Sequence, residues 1–255
     1  MSQANVPSSS SLPPGMQLRL AAVRALCFDL DGTLLDTIPD LATAANGMLV
    51  DLGLEPRPVA EVATYVGKGA DRLILRMLAA AGQPTEEGSD TFLQARKRFH
   101  VHYRHCNGKE ARLYPGVASG LKRMADIGLP MACVTNKPQE YIQPLLLHFH
   151  LRQYFDFFIG GDTLPTKKPD PGPLLEAAHR WYLAPGQVLM VGDSLNDTQA
   201  ARAARMPVVI LPYGYNEGRP LDSVDADAII DDLDQLATWL ELSRGLVPTA
   251  PLAKR

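Results

Sequence analysis

Val23-Arg-Ala-Leu-Cys-Phe-Asp-Leu-Asp-Gly-Thr33 is the stretch that decides the architecture of this chain. Its first half, Val23 to Phe28, is an apolar run too short for a helix and without clean alternation. Such a run suits a central strand of a parallel sheet, covered on both faces. Its second half places Asp29 and Asp31 two residues apart at the strand end, with Gly32 available for the turn that follows. Two further runs repeat the pattern, Pro130-Met-Ala-Cys-Val134 and Val188-Leu-Met-Val191. Phe157–Ile159, Pro207–Leu211 and Ala228–Ile230 are shorter strand candidates.

Helical patterns lie between these runs. They span Val117 to Ile127, ended by Gly128, then Glu140 to Phe149, Gly172 to Trp181 and Asn196 to Ala204. The alternation predicts an α/β fold, a doubly wound and mostly parallel sheet. One region breaks the rhythm. From Asp36 to Leu113 no strand is evident, and helices are expected over Pro39–Leu52, Val59–Tyr65, Gly69–Ala81 and Thr91–Cys106. The simplest account is an inserted α-helical cap over residues 36–113, with the α/β core formed by 17–35 and 114–244. The Ser- and Pro-rich residues 1–16 and the stretch 245–255 read as tails, the first too poor in apolar surface to offset the entropy of ordering.

With 255 residues, 46% of them hydrophobic, the chain can bury one large core and a smaller second one. A formal net charge of -3 without a clustered basic excess argues against a nucleic-acid partner. No apolar run reaches the ~18 residues of a membrane span, and residues 1–15 lack the basic and apolar regions of a secretory signal, so a cytoplasmic protein is expected. Cys27, Cys106 and Cys133 show no CxxC spacing and fit a reducing compartment; Cys27 and Cys133, inside apolar runs, read as buried small hydrophobes. His100, His102 and His105 cluster in sequence, but 100 and 102 do not share a helix face, which disfavours a zinc site. Trp181 and Tyr182 read as packing residues.

In open α/β sheets, ligands bind beyond the carboxyl ends of the strands. Asp29-Leu-Asp31 follows the first run, Thr135-Asn136-Lys137 the second, and Gly192-Asp193-Ser-Leu-Asn-Asp197 the third. Lys167-Lys168-Pro-Asp-Pro171 opens a helix. Four polar groups are thereby expected at one sheet edge. Close carboxylates repel, and a hard divalent cation with oxygen ligands relieves them, for which Mg²⁺ is suited. A carboxylate could then attack a phosphorus atom, while a second serves as general acid and then general base.

Asp29-Leu-Asp-Gly-Thr33, Thr135, Lys168 in KPxP and GDxxxD at Gly192–Asp197 resemble, in order, the four motifs of the haloacid dehalogenase-like phosphatase superfamily, whose helical cap follows the first motif. The resemblance covers about Val23 to Leu236. It implies Asp29 as nucleophile and metal ligand, Asp31 as acid/base with its carbonyl on the metal, and Asp193 as the third protein ligand. It further implies Thr135 and Lys168 as phosphate-binding groups and Asp197 as a supporting acid. An aspartate at position 31 favours phosphate-ester hydrolysis or a phosphomutase. Finer stretches, Tyr65-Val-Gly-Lys-Gly-Ala70, Val134-Thr-Asn-Lys-Pro138 and Tyr213-Gly-Tyr-Asn216, resemble the bacterial phosphoglycolate phosphatases within it. That branch usually has asparagine where Lys68 stands. The implied substrate is 2-phosphoglycolate, held by Thr135, Asn136, Lys168, Gly67 and Lys68, with Arg72 a further candidate and a monomer or small homo-oligomer expected. A sugar-phosphate phosphatase, for example one acting on N-acetylmuramic acid 6-phosphate, and a β-phosphoglucomutase-like mutase remain open alternatives, as does a catalytically silent binding protein.

Overall fold

The computed structural model describes residues 15–216 and 224–246, so most of the N-terminal tail and residues 247–255 lie outside the described residues. The three apolar runs form strands β1 (Ala25–Phe28), β4 (Met131–Val134) and β6 (Val188–Gly192), every residue of which is buried. The shorter candidates form β5 (Phe157–Ile159), β7 (Val208–Ile210) and β8 (Ala228–Ile229). All six pair in parallel in the order β5-β4-β1-β6-β7-β8. The chain moves outward from β1 to β4 and β5, then returns to the other side of β1 to add β6, β7 and β8. The order therefore reverses at β1, where a crevice opens beyond the strand ends.

Strand alternation divides the core into two layers. Leu26, Phe28, Met131, Cys133, Leu189 and Val191 face one side, packed under α1 (Met16–Ala22), α6 (Val117–Asp126), α7 (Gln139–His148) and α10 (Leu233–Ser243). Ala25, Cys27, Ala132, Val134, Val188 and Met190 face the other, under α8 (Gly172–Arg180) and α9 (Leu195–Ala204). Two of these helices are not evident from the sequence pattern. Helix α1 begins at Met16, inside the stretch read as tail, because Met16 and Leu20 are buried in the first layer. Helix α10 adds Leu233, Leu236, Trp239 and Leu240 to the same layer, and Asp232 caps it by accepting from the Gln235 N–H.

Between β1 and α6 stand four helices, α2 (Ile38–Asp51), α3 (Val59–Ala63), α4 (Ala70–Ala80) and α5 (Asp90–Cys106). They bury an apolar cluster of their own, including Met48, Ile74, Met77 and Phe99. The region is not free of strand. Leu35–Asp36 (β2) and Arg112–Leu113 (β3) pair antiparallel where the chain leaves and re-enters the core. Two-residue strands carry no periodicity, which is why the sequence does not reveal them. Asp40, fully buried on α2, closes the same junction by accepting the Gly108 and Glu110 N–H groups at 2.7 and 2.8 Å.

Trp181 packs on Phe157, with centroids 4.9 Å apart, whereas Tyr182 is 93% exposed. The three clustered histidines face different partners: His100 meets the Tyr141 hydroxyl, His102 the Asp51 carboxylate, and His105 the Val101 carbonyl. No helix of the described residues is long and apolar enough to cross a membrane.

Candidate active site

Asp29, Thr135 and Asp193 each follow the last residues of β1, β4 and β6, the three strands at the reversal. They meet across one cavity of about 40 Å³, lined on the core side by Asp29, Asp31, Thr135, Asn136, Lys137 and Asp193. The helical layer closes it with Leu41, Val66, Gly67, Gly69, Leu73 and Tyr103.

Lys168 lies behind Asp29. Its ammonium is 3.0 Å from Asp29 Oδ1 and 2.7 Å from Asp197 Oδ1; Lys168 and Asp197 are buried, and Asp29 is partly open to the cavity. Burial opposes its charge, but Asp197 and Asp29 outweigh that and hold the ammonium above its ordinary pKa. Asp29 Oδ1 also accepts the Leu30 N–H at 2.7 Å. Burial nonetheless pushes the Asp29 carboxyl up to about 6; Lys168 pulls it down, while Asp197 and Asp31 add to the rise. Burial, Asp197 and Asp29 likewise raise Asp193 well above the usual carboxylate range.

Each acid is fixed by a different neighbour. Asp193 Oδ1 accepts from the Thr33 hydroxyl at 2.8 Å, and Oδ2 from the Tyr215 N–H at 2.6 Å. Asp197 Oδ2 accepts from the Asp193 and Ser194 N–H groups and from the Ser194 hydroxyl, capping α9. With Oδ1 on Lys168, both of its oxygens are engaged. Asp31 Oδ1 accepts from the Thr37 hydroxyl at 2.7 Å and from Lys137 Nζ at 2.9 Å. The Thr135 hydroxyl oxygen accepts the Lys137 N–H at 3.2 Å, which leaves its own O–H as a donor toward the cavity.

Carboxylate oxygens of Asp29, Asp193 and Asp197 lie within 4.8 Å of one another. Hard oxygen donors at this spacing suit a hard divalent cation. The backbone around Asp193 leaves space for its carboxylate: a Cβ on Gly32 would fall 2.4 Å, and one on Gly214 2.3 Å, from Asp193 Oδ2. The residues present therefore fit a cation, and Asp29 and Asp193 are the two whose oxygens remain accessible to it from the cavity.

Asn136 lines the cavity, but its Nδ2 donates to the Lys168 carbonyl at 2.9 Å, tying the two loops together, and its buried Oδ1 has no partner among the described residues. In the helical layer, Gly67 and Gly69 reach the site and Lys68 does not line the cavity; Arg72 is exposed and is absent from its walls as well. Gly69, at φ +87°, lies so close to the core that a Cβ would stand 3.2 Å from the Asn136 carbonyl oxygen. The Gly67 carbonyl accepts from Asn196 Nδ2 at 3.0 Å, so the loop is seated on the core. The cation that does line the cavity is Lys137, whose ammonium also hydrogen-bonds the Tyr103 hydroxyl. Lys137, Tyr103 and Tyr215 are polar wall residues to which the four motifs assign no part. Lys137 carries one weak signal, its place two residues beyond Thr135 at a strand end.

A doubly wound sheet that gathers a cation-ready set of carboxylates and a buried lysine at its reversal, beneath an inserted helical layer, defines an enzyme of the α/β hydrolytic type. The haloacid dehalogenase-like hydrolase model matches residues 26–211, and the chain belongs to that family. It is 45% identical over 223 residues to a phosphoglycolate phosphatase of Nitrosospira multiformis, covering 87% of this chain and 97% of the relative. It is 44% identical over 215 residues to a phosphoglycolate phosphatase of Thiobacillus denitrificans, covering 84% and 94%. Among solved structures it superposes with a TM-score of 0.80 on a predicted phosphoglycolate phosphatase from Haemophilus somnus, at 36% identity and covering 84% of this chain and 96% of the other.

Proposed function

We propose that this chain is a Mg²⁺-dependent phosphatase that hydrolyses 2-phosphoglycolate to glycolate and phosphate through an aspartyl-phosphate on Asp29. The observation that carries the reading is the pairing of Asp29 with Lys168 beside a second carboxylate, Asp31, which lines the same cavity as Asp29. Relatives 45% and 44% identical bear the name of this activity.

The chemistry follows from the placement of the side chains. Lys168 and the Thr135 hydroxyl bind the phosphoryl oxygens. The Asp29 carboxylate attacks phosphorus as the ester P–O bond breaks, and protonated Asp31 gives its proton to the departing glycolate oxygen. In the second step Asp31, now ionised, takes a proton from water as that water attacks phosphorus, and the bond to Asp29 breaks. Mg²⁺ held by Asp29, Asp193 and the Asp31 carbonyl would supply neutralising charge for the phosphoryl group. Asp197 keeps Lys168 in place and charged. The helical layer, seated through Gly67 and Asn196, covers part of the site and so limits its contact with bulk water.

Phosphate release with Mg²⁺, measured across 2-phosphoglycolate, sugar phosphates and p-nitrophenyl phosphate, tests the reading. A specificity constant for 2-phosphoglycolate well above the others is expected, and Asp29→Asn should lower kcat by about 10⁴-fold or more. Turnover of a sugar phosphate instead would keep the chemistry and discard the substrate. Interconversion of sugar phosphates without phosphate release, seen by phosphorus NMR, would make the protein a mutase. A retained rate in Asp29→Asn would discard the mechanism.

A further inference from the structure

We propose, resting on the phosphatase reading above, that Lys137 determines specificity by binding the carboxylate carried by the substrate's leaving group. The expected cationic contact at Lys68 is not in the cavity wall, whereas Lys137 supplies a cation to that wall from the core side. Lys168, with its ammonium on Asp29 and Asp197, serves the phosphoryl end of the substrate in the reading above.

The position of Lys137 follows from that of Asp31. To protonate the leaving oxygen, Asp31 must approach it within hydrogen-bond reach, about 3 Å. Lys137 Nζ is 2.9 Å from Asp31 Oδ1. In 2-phosphoglycolate the carboxylate carbon is two bonds from that same oxygen, so the group that follows the leaving oxygen passes beside the ammonium. An ammonium has three donors. Asp31 and the Tyr103 hydroxyl take two of them, and the third is left for a ligand. The surroundings favour an ionic contact: Lys137 is 4% exposed, and Leu41, Val66 and Leu73 line the same cavity. A charge pair removed from water in this way contributes more to discrimination than one at the surface. Tyr103, on the helical layer, takes the ammonium on its hydroxyl with its ring centroid 4.8 Å from Nζ, and so holds it at the boundary between core and helical layer.

A competing account gives Lys137 only the task of holding Asp31. The two are separated by comparing 2-phosphoglycolate with 2-hydroxyethyl phosphate, which has the same chain length and no charge at its end. Any loss through Asp31 is common to both substrates and cancels in the ratio of their kcat/KM values. In Lys137→Met that ratio should fall by about 100-fold, chiefly through KM for 2-phosphoglycolate. An unchanged ratio, with both substrates slowed alike, overturns the role in specificity and leaves the phosphatase reading intact. If the wild-type enzyme itself shows no preference for the carboxylate, both fall. A second measurement needs no variant. The wild-type enzyme should use 3-phosphooxypropionate, whose carboxylate is one bond further out, at least tenfold less efficiently than 2-phosphoglycolate. Equal use of the two would overturn the placement of Lys137 even if Lys137→Met does not fold.

Discussion

Removal of divalent metal should make this protein less stable as pH rises from about 4 to about 7, and Mg²⁺ should reverse the trend. Asp29 titrates near 6 in the folded protein against an ordinary value of 3.8, because burial and the neighbouring Asp197 and Asp31 outweigh the pull of Lys168. A carboxyl whose folded pKa is raised binds its proton more tightly in the native state. Its contribution to stability is complete below the unfolded value of 3.8 and is lost as pH passes through about 6. The difference of about two pH units corresponds to roughly 3 kcal/mol. Asp193, also raised by burial and by Asp197 and Asp29, adds a loss of the same sign. For a chain of this size about 1 kcal/mol shifts the melting temperature by roughly 2–4 °C, so a fall on the order of 10 °C is expected in chelator. Metal binding requires the ionised ligands and strengthens with pH. At about 100 times its dissociation constant, Mg²⁺ should restore about 2.7 kcal/mol near pH 7.5. Thermal melts followed by circular dichroism at a series of pH values, in chelator and in Mg²⁺, measure both arms. Asp29→Asn, which cannot ionise at this position, should show a flatter chelator curve than the wild type. Identical curves for the two proteins, or no stabilisation by Mg²⁺ at pH 7.5, would refute the account of the acidic cluster.

Two further substitutions probe the connection between the helical layer and the core. The Tyr215 hydroxyl accepts the Thr37 N–H at 2.7 Å and donates to Asp36 Oδ1 at 2.6 Å, while its own N–H holds Asp193, so it links the acidic cluster to the junction. Tyr215→Phe leaves the buried Thr37 N–H unpaired and should cost about 1–3 kcal/mol in denaturant titration, with a rise in KM exceeding any fall in kcat. Gly69 combines φ +87° with ψ 170°, a region that side chains avoid, beneath the Asn136 carbonyl. Gly69→Ala should raise KM for the phosphate ester several-fold at a cost of about 1–3 kcal/mol, and an unchanged KM would show that close seating of this loop is not needed for binding.

Much of the core was legible because its signals are local. A fully apolar strand followed by Asp29-Leu-Asp31, Thr135 or Gly192-Asp193 carries both its burial and its chemistry within a few residues. The helices of the insertion were visible for the same reason, since amphipathic spacing repeats within each one. The sequence by itself thus determined the parallel sheet, the position of the insertion and the acids and lysine that meet at the strand ends. Helices α1 and α10, the β2–β3 ribbon and the inward-facing cation were decided only by tertiary structure. Met16 and Leu233 become core residues because the sheet has a face for them to cover. Whether Lys68 or Lys137 lines the cavity depends on how the loop of Gly67 and Gly69 seats against the core, and that docking leaves Lys68 out of the cavity wall while Tyr103 and Asp31 hold Lys137 in it. Spacing along a chain can place a charge near a site, but the direction a side chain takes there is set by packing between segments distant in sequence.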